Sequence, residues 1–358
     1  MKEFKRVHRK EQLALAANGE GMIRLSSLVS RHFVLAMLVI LSLCRTGVSQ
    51  DLVEVSIPST ADQTTQPALM FLPKESDSDR KSLPLLVLLH TWSGNYRQKG
   101  HIEVAAEECA DRGWAVIHPN FRGANTGPEA CGSELAVQDV IDAVDWMIKE
   151  HGVAPDRVYL TGVSGGGHLS MLMAGRHPDY WAGVSAWVGI WDLANWHDET
   201  QAAGLKYAKQ MEAVTGGSPG ESETIDSEYR NRSPKSWLDS AVDVPLDIQV
   251  GIHDGHTGSV PISHSINAFN QVASQSGFAE KVVAESLISH MVQEQSVPTA
   301  ERFRGMQEPR SHSVLFRRTA GPTRLTVFEG GHEGDVPTAI RWLESQGPRS
   351  PTRVSGSE

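Results

Sequence analysis

The distribution of apolar residues predicts a buried sheet that begins near residue 83. The runs LPLLVLLH (83–90) and WAVIHP (114–119) lack the polar alternation of a half-exposed strand, so we expect strands that are buried on both faces. Three later runs have the same character: RVYLTG, WAGVSAWVGI and PLDIQVGI. Because helical segments separate these runs, the pattern predicts an α/β fold with a mostly parallel central sheet covered by helices on both faces.

Helical periodicity marks the connections between these strands. The segment AVQDVIDAVDWMIKEHG carries an apolar stripe from Val140 to Ile148 and ends at Gly152, which favours a helix with a glycine C-terminus. The segment HLSMLMAGRHP predicts a shorter helix that stops before Pro178. Upstream of the first buried run, DLVEVSIPS and PALMFLP predict antiparallel edge strands.

Two regions depart from this alternation. Residues 271–320 hold a predicted helix around Glu280 to Gln295 and then a polar stretch longer than a connection needs, so we expect a lid or an insertion there. Residues 347–358 are rich in Pro, Ser and Arg, which predicts a disordered tail. We assign the catalytic domain to residues 50–346.

The composition is that of a globular protein with one main domain. Of 358 residues, 40% are hydrophobic and 21% are charged, enough apolar material for one large core. The net charge of -10 comes from scattered acidic residues, and no Lys/Arg cluster with interleaved aromatics is present, which argues against a nucleic-acid partner. Cys109 and Cys131 are consistent with a disulfide or with two free thiols.

The N-terminal extension, residues 1–49, is predicted to contain a signal peptide. The apolar run Phe33–Leu43 follows basic residues and is short for a membrane span, so we expect cleavage after Ser49 and a secreted or periplasmic protein without a stable membrane partner. Lipid attachment at Cys44 and an uncleaved anchor are the alternatives, and translation from Met22 would shorten the extension.

The stretch TGVSGGGHLS supplies the candidate nucleophile, Ser164. It lies between a predicted strand and a predicted helix, and Gly162 and Gly166 relieve the crowding that a sharp turn causes. The turn aims the helix N-terminus at the serine oxygen, so the Gly165 amide is expected to stabilise an oxyanion. His168 is interpreted as a residue at the start of the helix and not as a base.

A nucleophilic serine needs a histidine base and a carboxylate that orients it. His332, in FEGGHEG, follows a predicted strand and precedes the last helix. Asp254 follows another strand end; its rivals are Asp247, inside that strand, and Asp335, which comes after the base.

The loop that contains Asp254 also admits a metal hypothesis. Residues 253–264 hold three histidines and an aspartate, but these residues lack a regular ligand spacing. We therefore expect no metal and no organic cofactor.

Six segments give a family resemblance: LLVLLHTWSGN, IHPNFRGAN, AVQDVIDAVDWM, GVSGGGH, GIHDGHTGSVP and FEGGHEG. In this order, over residues 65–346, they resemble the catalytic domain of prolyl oligopeptidase-like serine hydrolases in the α/β-hydrolase superfamily. The resemblance implies Ser164, Asp254 and His332 as the triad.

The same resemblance implies that the loop after His90 forms the second half of the oxyanion hole. Many relatives carry a His-Gly-Gly-Pro turn there, whereas this chain reads His-Thr-Trp-Ser, and we assign the donor to the Trp92 amide.

Two aromatic residues and the length of the chain bear on the substrate class. Trp191 and Trp196 follow a strand end, where ligands bind in open α/β sheets, and are candidates either for stacking on a substrate or for packing a loop. A chain of about 300 residues after the extension leaves no room for a propeller filter. We therefore expect hydrolysis of small or carbohydrate-linked esters, with 271–320 shaping the entry. The alternatives are a peptidase acting on short peptides and a non-catalytic binding protein.

Overall fold

The computed structural model of the protein describes residues 52–74 and 82–349. The predicted signal peptide, its cleavage after Ser49 and the alternatives at Cys44 and Met22 lie outside these ranges, as do residues 350–358. Within the described ranges, no helix is both long enough and apolar enough to cross a membrane.

One sheet forms the centre of the described part. Its strands lie in the order β1-β2-β4-β3-β5-β6-β7-β9-β8. The central strands, from β4 to β9, pair in parallel, whereas β1 with β2, β2 with β4, and β8 with β9 pair antiparallel. The strand bounds are β1 Val53–Pro58, β2 Thr65–Phe71, β3 Leu83–Leu89, β4 Ala115–Pro119, β5 Val153–Val163, β6 Gly183–Trp187, β7 Leu246–Gly251, β8 Val314–Ala320 and β9 Thr323–Phe328. The predicted mostly parallel sheet and its antiparallel edge strands are confirmed.

Helices cover both faces of this sheet. Their bounds are α1 His101–Ala110, α2 Glu134–His151, α3 Gly165–Arg176, α4 Leu193–Ala202, α5 Tyr207–Thr215, α6 Glu223–Arg232, α7 Ile262–Gln275, α8 Glu285–Glu294 and α9 Val336–Glu344. Helices α2, α3 and α7 bury their apolar residues in one core cluster, and α1 and α9 bury theirs in a second cluster. The sheet separates the two clusters.

Strand β3 explains why the apolar runs show no polar alternation. Leu85 and Val87 lie in the first cluster, whereas Leu86 and Leu88 lie in the second. Because alternate side chains of a strand point to opposite faces, a strand covered on both sides needs apolar residues at every position.

The predicted insertion at residues 271–320 is wrong in its limits. Residues 271–275 complete helix α7, which packs on the sheet, and residues 314–320 form edge strand β8. The sequence VLFRRTA contains two arginines, which give it the polar character of an insertion. These arginines lie at the less buried positions of an edge strand, where their guanidinium groups lie over the rings of Phe303 and Phe316. The segment between helix α7 and strand β8 is residues 276–313, and it contributes Val283, Ile288, Met291 and Val297 to the first core cluster.

Cys109 and Cys131 are both free and buried, and burial raises the pKa of the Cys131 thiol to about 12.

The first residues of the predicted disordered tail are packed on the domain. The Tyr159 hydroxyl donates a hydrogen bond to the Gly347 carbonyl at 2.7 Å, and the Arg349 amide donates one to the Asp156 carbonyl at 2.6 Å.

A buried ion pair, together with a serine hydroxyl, joins three adjacent strands of the sheet. Ser185 in β6, Asp247 in β7 and Arg324 in β9 are in register. The Asp247 side chain is fully buried, and its carboxylate accepts hydrogen bonds from Arg324 Nε at 2.8 Å and from Ser185 Oγ at 3.1 Å. Asp247, a rival for the catalytic acid, therefore has a structural role.

Replacing Arg324 with leucine is expected to lower the free energy of unfolding by about 3 kcal/mol, because it leaves the Asp247 charge buried and unpaired. Arg230→Leu is the matched control, since it removes an exposed arginine paired with Glu223 and should cost less than about 1 kcal/mol. Urea unfolding of both variants measures the difference. Equal losses would contradict the structural role of the buried pair.

Candidate active site

Ser164 lies at the tight turn between strand β5 and helix α3. Its backbone has φ 61° and ψ -115°, a conformation that non-glycine residues rarely adopt. A side chain at Gly162 would put a Cβ atom 2.5 Å from the Gly166 carbonyl carbon, so the turn requires glycine there. The sharp turn expected from the glycine pattern is therefore present.

The structure brings Ser164, His332 and Asp254 together. The three residues follow β5, β9 and β7, whose carboxyl ends meet at one edge of the sheet. His332 Nε2 lies 2.8 Å from Ser164 Oγ, and His332 Nδ1 lies 2.7 Å from Asp254 Oδ2. With the ring proton on Nδ1, the imidazole donates to the carboxylate and accepts from the hydroxyl.

The Asp254 carboxylate is held rigidly in a buried turn. Its Oδ1 accepts hydrogen bonds from the Gly255 amide at 2.9 Å and from the Val260 amide at 3.3 Å. A Cβ atom at Gly258 would overlap both Asp254 Oδ1 and the His332 side chain. The loop therefore closes over the acid and the base because residue 258 is glycine.

The other candidate acid and base have structural partners. Asp335 caps helix α9, accepting from the Thr338 amide at 2.9 Å and from the Ser311 amide at 2.8 Å. His168 Nε2 lies 2.7 Å from the Arg232 carbonyl oxygen, and burial lowers the pKa of His168 to about 4. Neither side chain contacts Ser164.

The histidines near Asp254 point to different partners. His253 contacts Gln295 and Glu329, His256 contacts a backbone carbonyl of helix α8, and His264 contacts Glu199. Throughout residues 52–74 and 82–349, no three His, Cys, Asp or Glu side chains are grouped so as to hold a metal.

The predicted oxyanion donors, Gly165 and Trp92, lie side by side. A Cβ atom at Gly165 would be 2.5 Å from the Trp92 nitrogen, so the two backbones are in direct contact. Gly165 is the first residue of α3, where amides have no intrahelical partner. Among the described residues, none accepts a hydrogen bond from the Trp92 amide. Both N–H groups are thus available to a ligand.

The Trp92 loop is held by residues that the sequence interpretation missed. The Trp92 carbonyl accepts from the Asn125 amide at 2.8 Å, and Asn125 Oδ1 accepts from the Cys131 amide at 2.9 Å. Arg232, at the end of α6, donates to the carbonyls of Ala130 at 2.7 Å and Pro128 at 2.9 Å. The sequence shows the pairing of Arg232 with Glu228 one helical turn earlier, but it contains no pattern for the backbone contacts of this arginine.

A cavity of about 370 Å³ opens onto Ser164 and His332. The other residues that line it are aromatic, aliphatic and polar: Trp92, Val163, Tyr207, Thr91, Ser93, His101, Glu333 and Gly334. Tyr207 comes from α5, part of the α4–α6 region (Leu193–Arg232) that joins β6 to β7. Residues 271–320 contribute nothing to this wall, so the predicted lid is misplaced. In the sequence, the long interval between the runs that form β6 and β7 was the feature that indicated a segment covering the site.

The structure does not bring Trp191 or Trp196 to the cavity wall. Trp196 is 1% exposed, and its ring packs 4.8 Å from the Trp92 ring, measured between centroids. The Trp191 indole donates to Gln271 Oε1 at 2.7 Å, and Lys235 covers its ring. Trp196 thus packs against Trp92 and does not line the cavity. The cavity is lined instead by Trp92 and Tyr207.

Relatives of known sequence include peptidases and a lipase. The uncharacterised peptidase YtmA of Bacillus subtilis is 29% identical over 161 residues, which cover 44% of this chain and 58% of YtmA. Lipase 2 of a Moraxella species is 31% identical over 104 residues, covering 27% of this chain and 23% of the lipase. The matches therefore span less than two thirds of these relatives.

The fold and the family are also supported by wider comparisons. Acylaminoacyl peptidase from Pyrococcus horikoshii superposes with a TM-score of 0.56 at 15% identity, covering 90% of this chain and 44% of that chain. This likeness shows the α/β-hydrolase fold. The model of the prolyl oligopeptidase family matches residues 101–304, more than half of the chain. The chain therefore belongs to the prolyl oligopeptidase family of serine hydrolases.

Proposed function

We propose that this chain hydrolyses small carboxylic esters through an acyl-enzyme intermediate on Ser164. The observation that carries the proposal is the unbroken chain of hydrogen bonds, 2.8 Å from Ser164 to His332 and 2.7 Å from His332 to Asp254. A serine hydroxyl is a weak nucleophile until a positioned base takes its proton. This arrangement supplies both the base and the carboxylate that stabilises its protonated form.

The proposed reaction has two halves. Ser164 Oγ attacks the ester carbonyl carbon while its proton moves to His332 Nε2, and the negative oxygen of the tetrahedral intermediate accepts from the Gly165 and Trp92 amides. The intermediate collapses, His332 donates its proton to the leaving alcohol, and the acyl group stays on Ser164. Water then repeats the sequence, with His332 as base, and releases the acid.

Esters are proposed ahead of peptides because of the leaving group. An amine must be protonated as it departs, whereas an alkoxide leaves more readily, so an ester needs less help from a triad and two amides. The relationship to a lipase supports this choice. Within the ester class, carbohydrate-linked substrates would stack on Tyr207, an aromatic residue of the cavity wall with a partly exposed side chain.

Cleavage of short peptides is the second candidate function. It is supported by membership of the prolyl oligopeptidase family and by the relationship to a peptidase. A non-catalytic binding role has less support, because a binding protein has no need of an aligned nucleophile, base and acid.

We further propose that the protein is exported. The support is the apolar run Phe33–Leu43, preceded by basic residues and followed by small residues up to Ser49. Sequencing the N-terminus of the protein purified from its native host tests this: a start at Gln50 is expected, and a start at Met1 or Met22 would contradict it.

The ester preference predicts a ratio of specificity constants. We expect kcat/KM for a short-chain nitrophenyl ester, corrected for the greater intrinsic reactivity of esters, to exceed kcat/KM for aminoacyl and prolyl anilides. The measurement is steady-state kinetics on one preparation with both substrate types. If the corrected ratio favours an anilide, the peptidase function replaces the esterase function.

The role of Asp254 predicts a contrast between the aspartate that contacts His332 and Asp335, which follows His332 by three positions in the chain. Asp254→Asn should lower kcat by about ten-thousandfold, because an amide at this position stabilises the wrong tautomer of the histidine. Asp335→Asn should change kcat little and cost at most about 1 kcal/mol of stability, since asparagine also caps helices. Kinetics and thermal unfolding of both variants distinguish the roles. The reverse ranking of kcat would assign the acid to Asp335.

A further inference from the structure

The cavity beside Ser164 has a negative electrostatic character. Among the residues that line it, Glu333 is the one with a formally charged side chain, and neither lysine nor arginine is present. Burial lowers the pKa of His101, which keeps that imidazole uncharged at neutral pH. The carboxylate of Asp254 lies directly behind His332 and adds a second negative charge. A cation that enters the cavity therefore meets an attractive field.

Glu333 follows the candidate base in the chain and is one of the residues that line the cavity. Glu333 Oε1 accepts from the Gly331 amide at 3.0 Å, and Oε2 lies 3.2 Å from His312 Nε2. Neither of these contacts comes from a lysine or an arginine, and the Glu333 side chain is 45% exposed, so a ligand cation can approach its negative charge.

One aromatic residue of the cavity wall favours the same kind of ligand. Tyr207 lines the cavity with a partly exposed side chain, and aromatic faces attract cations through their negative π surfaces. The exposed Lys206 has its Nζ 5.6 Å from the Tyr207 ring centroid, so a ligand cation at this ring would take the place of the lysine. Together with the Glu333 carboxylate, this ring forms a suitable environment for an ammonium group.

We propose that Glu333 binds an ammonium group of the substrate, so that the site selects esters that carry a positive charge. The proposal rests on the esterase function and specifies its substrate class. The charge can belong to the leaving alcohol, as in amino alcohol esters, or to the acyl group, as in esters of amino acids. Both sources place an ammonium group within a few bonds of the ester carbonyl.

Two pairs of isosteric substrates separate charge from shape. For the leaving group, the pair is acetylcholine and its uncharged carbon isostere, dimethylbutyl acetate. For the acyl group, the pair is the nitrophenyl ester of trimethylammoniobutyrate and the ester in which carbon replaces nitrogen. The quantity measured is the charged-to-uncharged ratio of kcat/KM, corrected for spontaneous hydrolysis, and the pair that shows the preference identifies which side of the ester carries the charge.

Glu333→Gln removes the charge and keeps an oxygen that can accept from the Gly331 amide. We expect this substitution to lower the charged-to-uncharged ratio about fivefold for one pair, as for other partly exposed ion pairs. The matched control is Glu329→Gln, which makes the same change of net charge on an exposed glutamate of this loop. Glu329 pairs with His253 and does not line the cavity, so its loss should leave the ratio unchanged.

Salt provides a second readout. In the unsubstituted protein the ratio should fall as ionic strength rises, because counterions screen a partly exposed carboxylate, whereas the ratio of Glu333→Gln should respond little. An unchanged ratio in Glu333→Gln, or an equal fall in Glu329→Gln, would overturn the proposal while ester hydrolysis continued. If none of the four esters were cleaved, the esterase function would be overturned as well.

Discussion

The structure depends on a close approach between the start of helix α3 and the carboxyl ends of two strands, β3 and β6. A Cβ atom at Gly165 would meet Trp92, one at Gly166 would lie 2.5 Å from the Leu89 carbonyl oxygen, and one at Gly167 would overlap the Trp187 carbonyl oxygen. Any side chain at these positions would push the helix off the sheet. The three glycines let the N-terminal amides of the helix, where its dipole is positive, reach the edge where the reacting groups meet.

This close approach also determines how the rest of the site is supported. Because Trp92 is pressed against Gly165, whatever fixes Trp92 also fixes the predicted oxyanion hole. The Trp92 indole donates a hydrogen bond to Gln210 Oε1 at 3.0 Å, and the Trp92 carbonyl accepts one from the Asn125 amide. Arg232 in turn binds the carbonyls of Pro128 and Ala130, in the loop that follows Asn125. Helices α4–α6 therefore do more than cover the cavity, since they supply two of these supporting residues.

The sequence predicted the features that depend on local patterns. Strands buried on both faces are visible as uninterrupted apolar runs, and the turn at Ser164 requires glycines that are visible in the chain. The histidine and the acid could be assigned because each follows a strand end. The structure then placed His332 and Asp254 within hydrogen-bonding distance, as that order of elements suggested.

The features that sequence reasoning missed depend on long-range packing. An aromatic residue after a strand end, such as Trp196, suggests a ligand-stacking surface, yet Trp196 is buried against Trp92 in a separate apolar cluster to which helix α4 contributes. The arginines of strand β8 disguised an edge strand that needs only one apolar face. Arg232 acts through backbone carbonyls about a hundred positions away, and no periodicity records such a contact.

The central claim is that Ser164 is an activated nucleophile. Incubation of the folded protein with a fluorophosphonate, followed by mass spectrometry of the digested protein, measures this directly. We predict one adduct per chain, located on the peptide that contains Ser164, and no adduct in Ser164→Ala. A folded protein that remained unlabelled, or that carried the adduct on another residue, would contradict the account.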